Sequence, residues 1–157
     1  MKKGLKVLSL LLVLLLLAGC KGKDNDVKNT VVCKLSSADP AGSYKLERTD
    51  TITKDKDVIK SIETKEVYTS DSEELLATLK QTLEQTYDTY NGVYGGYTNQ
   101  ITNENGVVTS TTKIDYSKLD IKKYASDFNL NDYKTEDGQL KVDGMVNYYE
   151  QMNATCK

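Results

Sequence analysis

The longest apolar stretch lies near the start of the chain. Residues 7–17 are apolar except for Ser9, and three lysines precede them. These eleven residues are too few for a helix that crosses a bilayer, which needs about twenty. A basic start followed by a short apolar core is typical of a secretory signal. We therefore assign residues 1–19 to a signal peptide.

Further along the chain, apolar and polar positions alternate in the manner of β-strands. Residues 21–29 are polar and predict a flexible tether, whereas the β-branched residues 30–35 predict a strand. Residues 36–43 contain the only proline and predict a loop. Residues 44–69 are rich in Thr, Ile, Val and Tyr around a charged stretch, which predicts two strands and a polar turn. The alternation breaks at Ile59 and Val67, which indicates a bulge or a partly covered second face.

Helical periodicity follows the second of these strands. Ser70 and Glu73 have the spacing of a capping box, which predicts the start of a helix. Behind them, apolar positions recur at helical spacing and predict one buried face, formed by Leu76, Leu79, Leu83, Tyr87 and Tyr90. Asn91 and Gly92 predict the end of this helix, since both residue types accept a left-handed backbone.

A second hairpin and two short helices complete the predicted order. Asn105-Gly106 separates two alternating segments and is a strong hairpin signal. Short helices are expected at residues 120–127 and 143–152. This order predicts an α+β fold, with an antiparallel sheet of about five strands (two hairpins plus an N-terminal strand) and helices packed on one face.

The signal segment ends in Leu17-Ala18-Gly19-Cys20. This tetrapeptide resembles the lipobox of bacterial lipoproteins, and that resemblance implies cleavage before Cys20 and attachment of lipid to its sulfur. Residues 20–29 would then be the lipidated cysteine and tether, and residues 30–157 a single domain on the extracytoplasmic face of the cell membrane. An ordinary secretory signal followed by a chance cysteine is the alternative.

Two cysteines, Cys33 and Cys156, are left once Cys20 carries lipid. Outside the cytoplasm such a pair usually forms a disulfide. A closed loop of roughly 120 residues would stabilise the fold by about 4–5 kcal/mol on the chain-entropy model. Two buried free thiols are the alternative.

Charge and composition exclude several classes of function. Without residues 1–19, which hold three lysines and no acid, 18 basic residues face 23 acidic ones and the net charge is about −5. Nucleic acid is not an expected partner, because phosphate binding requires clustered basic residues. The chain has no histidine and no recognisable nucleophile motif. We therefore expect no enzyme and no cofactor, although a lysine-assisted serine hydrolase or a two-carboxylate glycosidase needs no histidine.

A calcium site is also not expected. Residues 127–131 begin like a calcium loop, with oxygen ligands at alternate positions. The pattern then fails, because Asp132 stands where the turn needs glycine and Gly138 stands where a bidentate glutamate belongs. We predict no metal ligands.

Tyrosine is the unusual feature of the composition, with eleven tyrosines, one phenylalanine and no tryptophan. Tyrosine combines a large apolar ring with a hydroxyl, which suits recognition surfaces, and adjacent glycines let a ligand approach the backbone. The candidate binding surface consists of Tyr87, Tyr90, Tyr94, Gly95, Gly96 and Tyr97. The alternative is that these rings fill the edge of a thin core and that the glycines only turn the chain.

The order of lipobox, Thr-rich hairpin, capped helix and second hairpin, followed by Ile-Asp-Tyr-Ser-Lys-Leu at residues 114–119, resembles the small YehR-type bacterial lipoproteins of unknown function. The resemblance implies a compact α+β lipoprotein and no known activity. We expect a lipid-anchored, non-enzymatic module that binds a small ligand or an envelope protein. A structural or assembly factor of an envelope complex and a small envelope hydrolase are the alternatives.

Overall fold

The computed structural model describes residues 29–157, which contain six strands and three α-helices. The strands are β1 (Thr30–Ala38), β2 (Lys45–Asp55), β3 (Val58–Thr69), β4 (Tyr97–Glu104), β5 (Val107–Asp115) and β6 (Thr155–Cys156). The helices are α1 (Glu73–Tyr94), α2 (Ile121–Asp127) and α3 (Val142–Gln151), with a 3₁₀ turn at Asn131–Tyr133. The predicted signal peptide, Cys20 and nearly all of the tether lie outside the described residues.

The strands form one sheet in the order β4-β5-β3-β2-β1-β6, and all neighbouring strands are antiparallel. The predicted α+β fold is therefore confirmed, with one strand more than the five expected. The additional strand, β6, pairs with β1 through only two residues, so no alternating pattern could have predicted it. The predicted disulfide between Cys33 and Cys156 is present and joins these two strands.

Both predicted hairpins are present. Asn105 and Gly106 form the two-residue turn between β4 and β5, with φ angles of 53° and 76°. Positive φ at both positions is the type I′ requirement that favours Asn-Gly. In the first hairpin the register shifts between Thr53 and Lys54, and Ile59 is buried. The predicted bulge is thus confirmed and accounts for Ile59, whereas Val67 is half-buried on the opposite face of the sheet.

The ends of α1 differ from the prediction. The cap is Ser72, whose side chain accepts a hydrogen bond from the Leu75 amide, whereas Ser70 donates to the backbone carbonyl of Ser43. The helix also continues beyond Asn91 and Gly92 to Tyr94, and Gly95 is its C-cap. Packing explains the extra turn, because Tyr94 is buried in the core and an exposed glycine costs a helix only about 1 kcal/mol.

One face of the sheet carries the core. A row of neighbours across four strands, Ile52, Ile62, Ile114 and Tyr97, is buried under the helices. This row belongs to the larger hydrophobic cluster, which includes α2 and α3, and a smaller cluster forms around Tyr68, Leu76 and Val108. The opposite face carries half-buried threonines, at positions 49, 51, 109 and 111. An antiparallel sheet with one covered and one solvated face alternates in this way.

Candidate functional site

The predicted tyrosine and glycine segment lies largely inside the fold. Tyr94 and Tyr97 are only 9% and 7% exposed, and Tyr87 and Tyr90 are half-buried. The Tyr90 ring packs against Tyr94 and Tyr97, with centroids 5.9 and 5.8 Å apart. The structure therefore places these rings in the core, as in the alternative considered from the sequence, and they do not form one accessible binding surface.

A wider aromatic cluster surrounds these tyrosines. Its further members come from the last third of the chain and are Tyr116, Tyr124, Phe128, Tyr148 and Tyr149. Burial raises the pKa of Tyr124 to about 12 and holds the pKa of Tyr116 and Tyr149 well above the ordinary value. These phenols stay protonated at neutral pH, so none of them can act as a general base there.

The adjacent glycines, Gly95 and Gly96, allow the backbone conformation of the connection between α1 and β4. Gly95 has φ of 71° and its amide donates to the Asn91 carbonyl, which closes the end of α1. Gly96 has φ of 74°, and a Cβ on it would lie 2.7 Å from the carbonyl oxygen of Asp115. Glycine is required at Gly96 because the backbone of the α1–β4 connection passes directly against the end of β5.

A polar layer lies between the two hydrophobic clusters on the inner face of the sheet. Arg48 and Asp50 of β2 and Thr64 and Glu66 of β3 point into it, and the last three are 1%, 5% and 5% exposed. Arg48 donates two hydrogen bonds to Asp50, of 2.8 and 2.9 Å, and Thr64 donates one of 2.6 Å. The geometry is bidentate, which is the strongest form of an arginine–carboxylate pair.

Glu66 connects this layer to the helices. It accepts a hydrogen bond of 2.8 Å from the Tyr87 hydroxyl and lies 3.6 Å from Nη1 of Arg48. The guanidinium lies over the ring of Tyr149, 5.4 Å from its centroid. Although burial lowers the pKa of Arg48, the hydrogen bond and charge of Asp50 outweigh it and raise this pKa above the ordinary value.

The predictions from the sequence do not include this layer, although the pattern of β2 indicates it. Arg48 and Asp50 share their parity with the apolar Leu46 and Ile52 on either side, so the same strand face carries both kinds of residue. Charged residues at inward positions of an alternating strand are rarely tolerated unless they are paired. That observation could have predicted buried ion pairs, but it could not have named their partners on β3.

An open cleft of about 840 Å³ lies at the end of the sheet where β1 finishes. Three connections line it: residues 42–45 before and at the start of β2, residues 69–72 between β3 and α1, and the Asn105-Gly106 turn. The 2.7 Å hydrogen bond from Ser70 to the Ser43 carbonyl holds the first two together. Because β1 starts at Thr30, the cleft lies roughly 26 Å from the first residue of the sheet.

The surroundings of this cleft are acidic. Asp71 lines the cleft, and three further exposed acids are next in sequence to lining residues: Glu73, Glu74 and Glu104. Lys45 is the one basic residue among the lining residues. At the other end of the sheet, lysines and acids alternate along the Lys54-Asp55-Lys56-Asp57 turn. An excess of negative charge at a cleft favours neutral or cationic partners over anionic ones.

Within residues 29–157, no three histidine, cysteine, aspartate or glutamate side chains come together in a way that could hold a metal ion. Asp127, which begins the calcium-like segment, instead accepts hydrogen bonds from Lys123 and Tyr94. These bonds, led by that from Lys123, lower the pKa of the Asp127 carboxyl. In the same part of the chain, no helix has the length and apolar character to cross a bilayer.

Comparison with known proteins supports the fold and gives no information on function. No family model matches the chain, and no curated protein matches it. The NMR structure of Escherichia coli YehR is similar, with a TM-score of 0.54, 17% identity, and coverage of 80% of this chain and 88% of that one. The NMR structure of a Streptococcus pneumoniae TIGR4 protein has 15% identity, coverage of 81% and 84%, and a TM-score of 0.47. The similarity to the YehR structure shows a YehR-like fold, as the sequence resemblance implied.

Proposed function

We propose that this protein is a lipoprotein anchored through Cys20 on the extracytoplasmic face of a membrane, and that its domain is a non-enzymatic binding module. The cleft between residues 42–45, residues 69–72 and the Asn105-Gly106 turn is the proposed binding surface. Its ligand is a small molecule or a segment of an envelope protein.

The position of the cleft carries this proposal. In this proposal the lipid-bearing segment enters the domain at Thr30, at one end of the sheet. The cleft lies at the opposite end, where three connections far apart in sequence converge. Binding residues are often carried by loops at one end of a rigid scaffold, and the disulfide and the hairpins supply such a scaffold here.

The negative charge around the cleft limits the kinds of ligand that we expect it to bind. The exposed carboxylates beside the cleft disfavour phosphates and nucleic acid, which require clustered cations. They favour a neutral sugar or a peptide that carries lysine or arginine. Catalysis is not part of the proposal, because the chain has no histidine and its buried phenols stay protonated at neutral pH.

Replacing the predicted lipid-bearing residue tests the anchor. In cells, Cys20→Ser should move the protein from the membrane fraction to the soluble fraction and abolish labelling with radioactive palmitate. Ser37→Ala, a change at an exposed position of β1, serves as the control and should leave the label in place. A Cys20→Ser protein that keeps the label or the membrane location would refute the anchor.

A thermal-shift screen tests the binding proposal. The panel contains neutral sugars, cell-wall fragments, lysine-rich peptides and glutamate-rich peptides. A ligand at a hundred times its dissociation constant adds about 2.7 kcal/mol of stability, which raises the melting temperature of a domain of this size on the order of ten degrees. We expect a rise with a neutral or cationic member of the panel.

Two matched variants locate the effect. Asp71→Lys reverses a charge in the cleft, and Asp57→Lys makes the same change in the exposed turn at the other end of the sheet. Asp71→Lys should remove the rise and Asp57→Lys should preserve it. Equal responses from both variants, or a response only to the acidic peptides, would contradict the assignment of this cleft.

Within residues 29–157 no strand pairs with the outer edge of β4, and this favours a second candidate function, as a structural or assembly factor. β4 ends the strand order, and the Gly96 carbonyl accepts from the Asp115 amide. Along an antiparallel pair, every second residue directs its backbone amide and carbonyl at the neighbouring strand. Because Gly96 bonds to β5, the backbone groups of Asn99, Ile101 and Asn103 point away from β5, and a partner strand could add there. A photo-crosslinker at Asn103 that captures a defined envelope protein, while one at Asp71 does not, would favour this function over the first.

A further inference from the structure

The two edges of the sheet differ in how well they are protected. One edge ends in β6, a strand of two residues that the Cys33–Cys156 disulfide holds against β1. The other edge is β4, which is eight residues long. An edge strand presents unpaired amides and carbonyls to other strands, and proteins limit this with very short edge strands, prolines, lysines or bulges. The β6 edge therefore has such protection.

The β4 edge has none of these protective features. Its pairing with β5 runs from Tyr97 to Glu104 without a register shift, so it contains no bulge. It has no proline and no lysine, and Glu104 at its end is its only charged residue. Residues 98–103 are all half-buried or exposed. In the described part of the chain, β4 is thus a long, nearly uncharged and accessible edge.

The free backbone groups on this edge belong to one short segment. Tyr97 also points away from β5, but its amide donates a 3.1 Å hydrogen bond to the side chain of Asn91. Within residues 29–157, the amides of Asn99, Ile101 and Asn103 have no such partner. These three residues are evenly spaced, and Ile101 is the centre of the free segment.

The sequence of this segment is nearly symmetric about Ile101. Residues 99–103 read Asn-Gln-Ile-Thr-Asn, so asparagine stands at both ends and an uncharged polar residue stands on each side of the isoleucine. In a two-fold symmetric contact, the same surface of both chains forms the two halves of the interface. Two antiparallel copies of one strand are related by such an axis. The segment therefore matches a second copy of itself.

We propose that two copies of this protein pair through β4, antiparallel, with Ile101 opposite Ile101 on the two-fold axis. In this register Asn99 lies opposite Asn103 of the second copy. All three outward-facing residues of each strand then exchange backbone hydrogen bonds with the other strand. The two six-stranded sheets become one continuous sheet, with the helices of both copies on the same face.

Charge and packing favour this arrangement. Glu104 lies opposite Thr98 of the second copy, so no like charges face each other, which would destabilise a strand pair. Ile101 is half-buried against the smaller hydrophobic cluster. A second isoleucine beside it removes more of its apolar surface from water. The edge therefore fits a copy of itself without an unfavourable pair.

The inference concerns the same edge as the second candidate function and is independent of the binding cleft. A second copy on β4 excludes a foreign strand from that edge, so the two occupants are alternatives. Because the contact involves a single short strand from each chain, its area is small, and contacts of small area are typically weak. We therefore expect a dimer that forms and dissociates with the concentration of the protein.

Sedimentation of the purified full-length protein in detergent tests the dimer. The mass should rise from that of a monomer towards that of a dimer as the protein concentration is increased. A protein that stays monomeric at its highest soluble concentration would overturn the proposal. A mass that continues to rise beyond the dimer would also overturn it, because a two-fold contact closes after two copies.

Charge exchange tests the contact and its register. Gln100 and Thr102 are exposed on the face of the sheet away from the helices. In the proposed register Gln100 lies opposite Thr102 of the second copy, as a non-hydrogen-bonded pair with Cα atoms about 4.5 Å apart. The variant Gln100→Lys, Thr102→Lys should therefore be monomeric, and so should Gln100→Glu, Thr102→Glu. An equal mixture of the two variants should dimerise again.

A matched control separates this effect from a change in net charge. The variant Ser37→Lys, Thr155→Lys adds the same charge at two exposed positions on the strands of the opposite edge and should keep the dimer. Loss of the dimer in this control as well, or a mixture of the two β4 variants that stays monomeric, would refute the contact through β4.

A photo-crosslinker at Asn103 distinguishes the two occupants of the edge in cells. We expect a product with twice the mass of the chain that contains only this protein. A product that contains a different envelope protein, with none that joins two copies, would overturn the inference and support the second candidate function.

Discussion

The Tyr87 hydroxyl donates a 2.8 Å hydrogen bond to Glu66, and this contact joins α1 to β3 in the middle of the core. Burial and the nearby charge of Glu66 raise the pKa of Tyr87 above its ordinary value. The phenol therefore stays protonated and keeps donating. Apolar contacts lie on both sides of this bond, so it aligns the helix on the sheet at a point where the core itself is polar.

Tyr87→Phe should destabilise the fold by about 1.5–3 kcal/mol, because the variant keeps the ring but leaves a buried carboxylate without its donor. Urea unfolding measures the loss. Tyr148→Phe is the control, since its half-buried hydroxyl makes no hydrogen bond within residues 29–157. Equal stability losses in the two variants would show that the Tyr87–Glu66 bond contributes little.

Arg48→Ala should cost about 3–5 kcal/mol, because it leaves Asp50 and Glu66 as buried carboxylates without their cation. Arg48→Lys should recover part of this loss, since an ammonium keeps the charge but cannot form the bidentate pair. Lys60→Ala, at an exposed position, provides the baseline and should change stability by less than about 0.5 kcal/mol. An Arg48→Ala variant as stable as Lys60→Ala would contradict this account of the layer.

Two glycines of the same segment should respond in opposite directions to alanine. Gly96→Ala should cost about 1–3 kcal/mol, since φ is 74° and the new Cβ would meet the Asp115 carbonyl. Gly92→Ala should stabilise by about 0.5–1 kcal/mol, because Gly92 is helical and has nothing within 4 Å of the added carbon. Calorimetric melting temperatures of the two variants check both signs, and a stabilising Gly96→Ala would disprove the close approach.

The double variant Cys33→Ala, Cys156→Ala should lose about 4–5 kcal/mol on the chain-entropy model, since the disulfide joins residues 123 positions apart. The measurement is denaturant unfolding of the variant beside the oxidised and the reduced protein. Reduced protein and variant should agree within about 1 kcal/mol, because both lack the same crosslink. A reduced protein as stable as the oxidised one would mean that β6 stays in place without the bond.

Local patterns in the sequence determined most of the elements. The Asn105-Gly106 turn follows from two residues that accept positive φ, and the hairpins follow from alternation that needs no distant partner. The apolar spacing of α1 predicted its buried face through Leu76 for the same reason. These features depend on backbone conformation and on residues a few positions apart, so the linear sequence contains what is needed to predict them.

Tertiary packing decided the ends of α1 and the accessibility of its tyrosines. Ser70 and Ser72 are both acceptable caps, and the contact of Ser70 with Ser43 leaves Ser72 as the cap. From the sequence, Tyr94 and Tyr97 could have faced either solvent or the core. In the fold, Tyr124 and Phe128 at α2 pack against Tyr94, and Tyr97 packs against Tyr90, so both rings are buried. Periodicity gives the face of an element but does not give the element that covers it.

The candidate sites depend on the fold for the same reason. The polar layer needs β2 and β3 side by side, and the cleft needs three connections at one end of the sheet. By itself, the sequence predicted a signal peptide and lipid attachment at Cys20, and it determined two hairpins, a helix and a cysteine pair, because each is encoded locally or by elimination. Only the tertiary structure decided which charges are buried together and where a cleft opens, because contacts between distant strands set burial, and burial sets the energy of a charge.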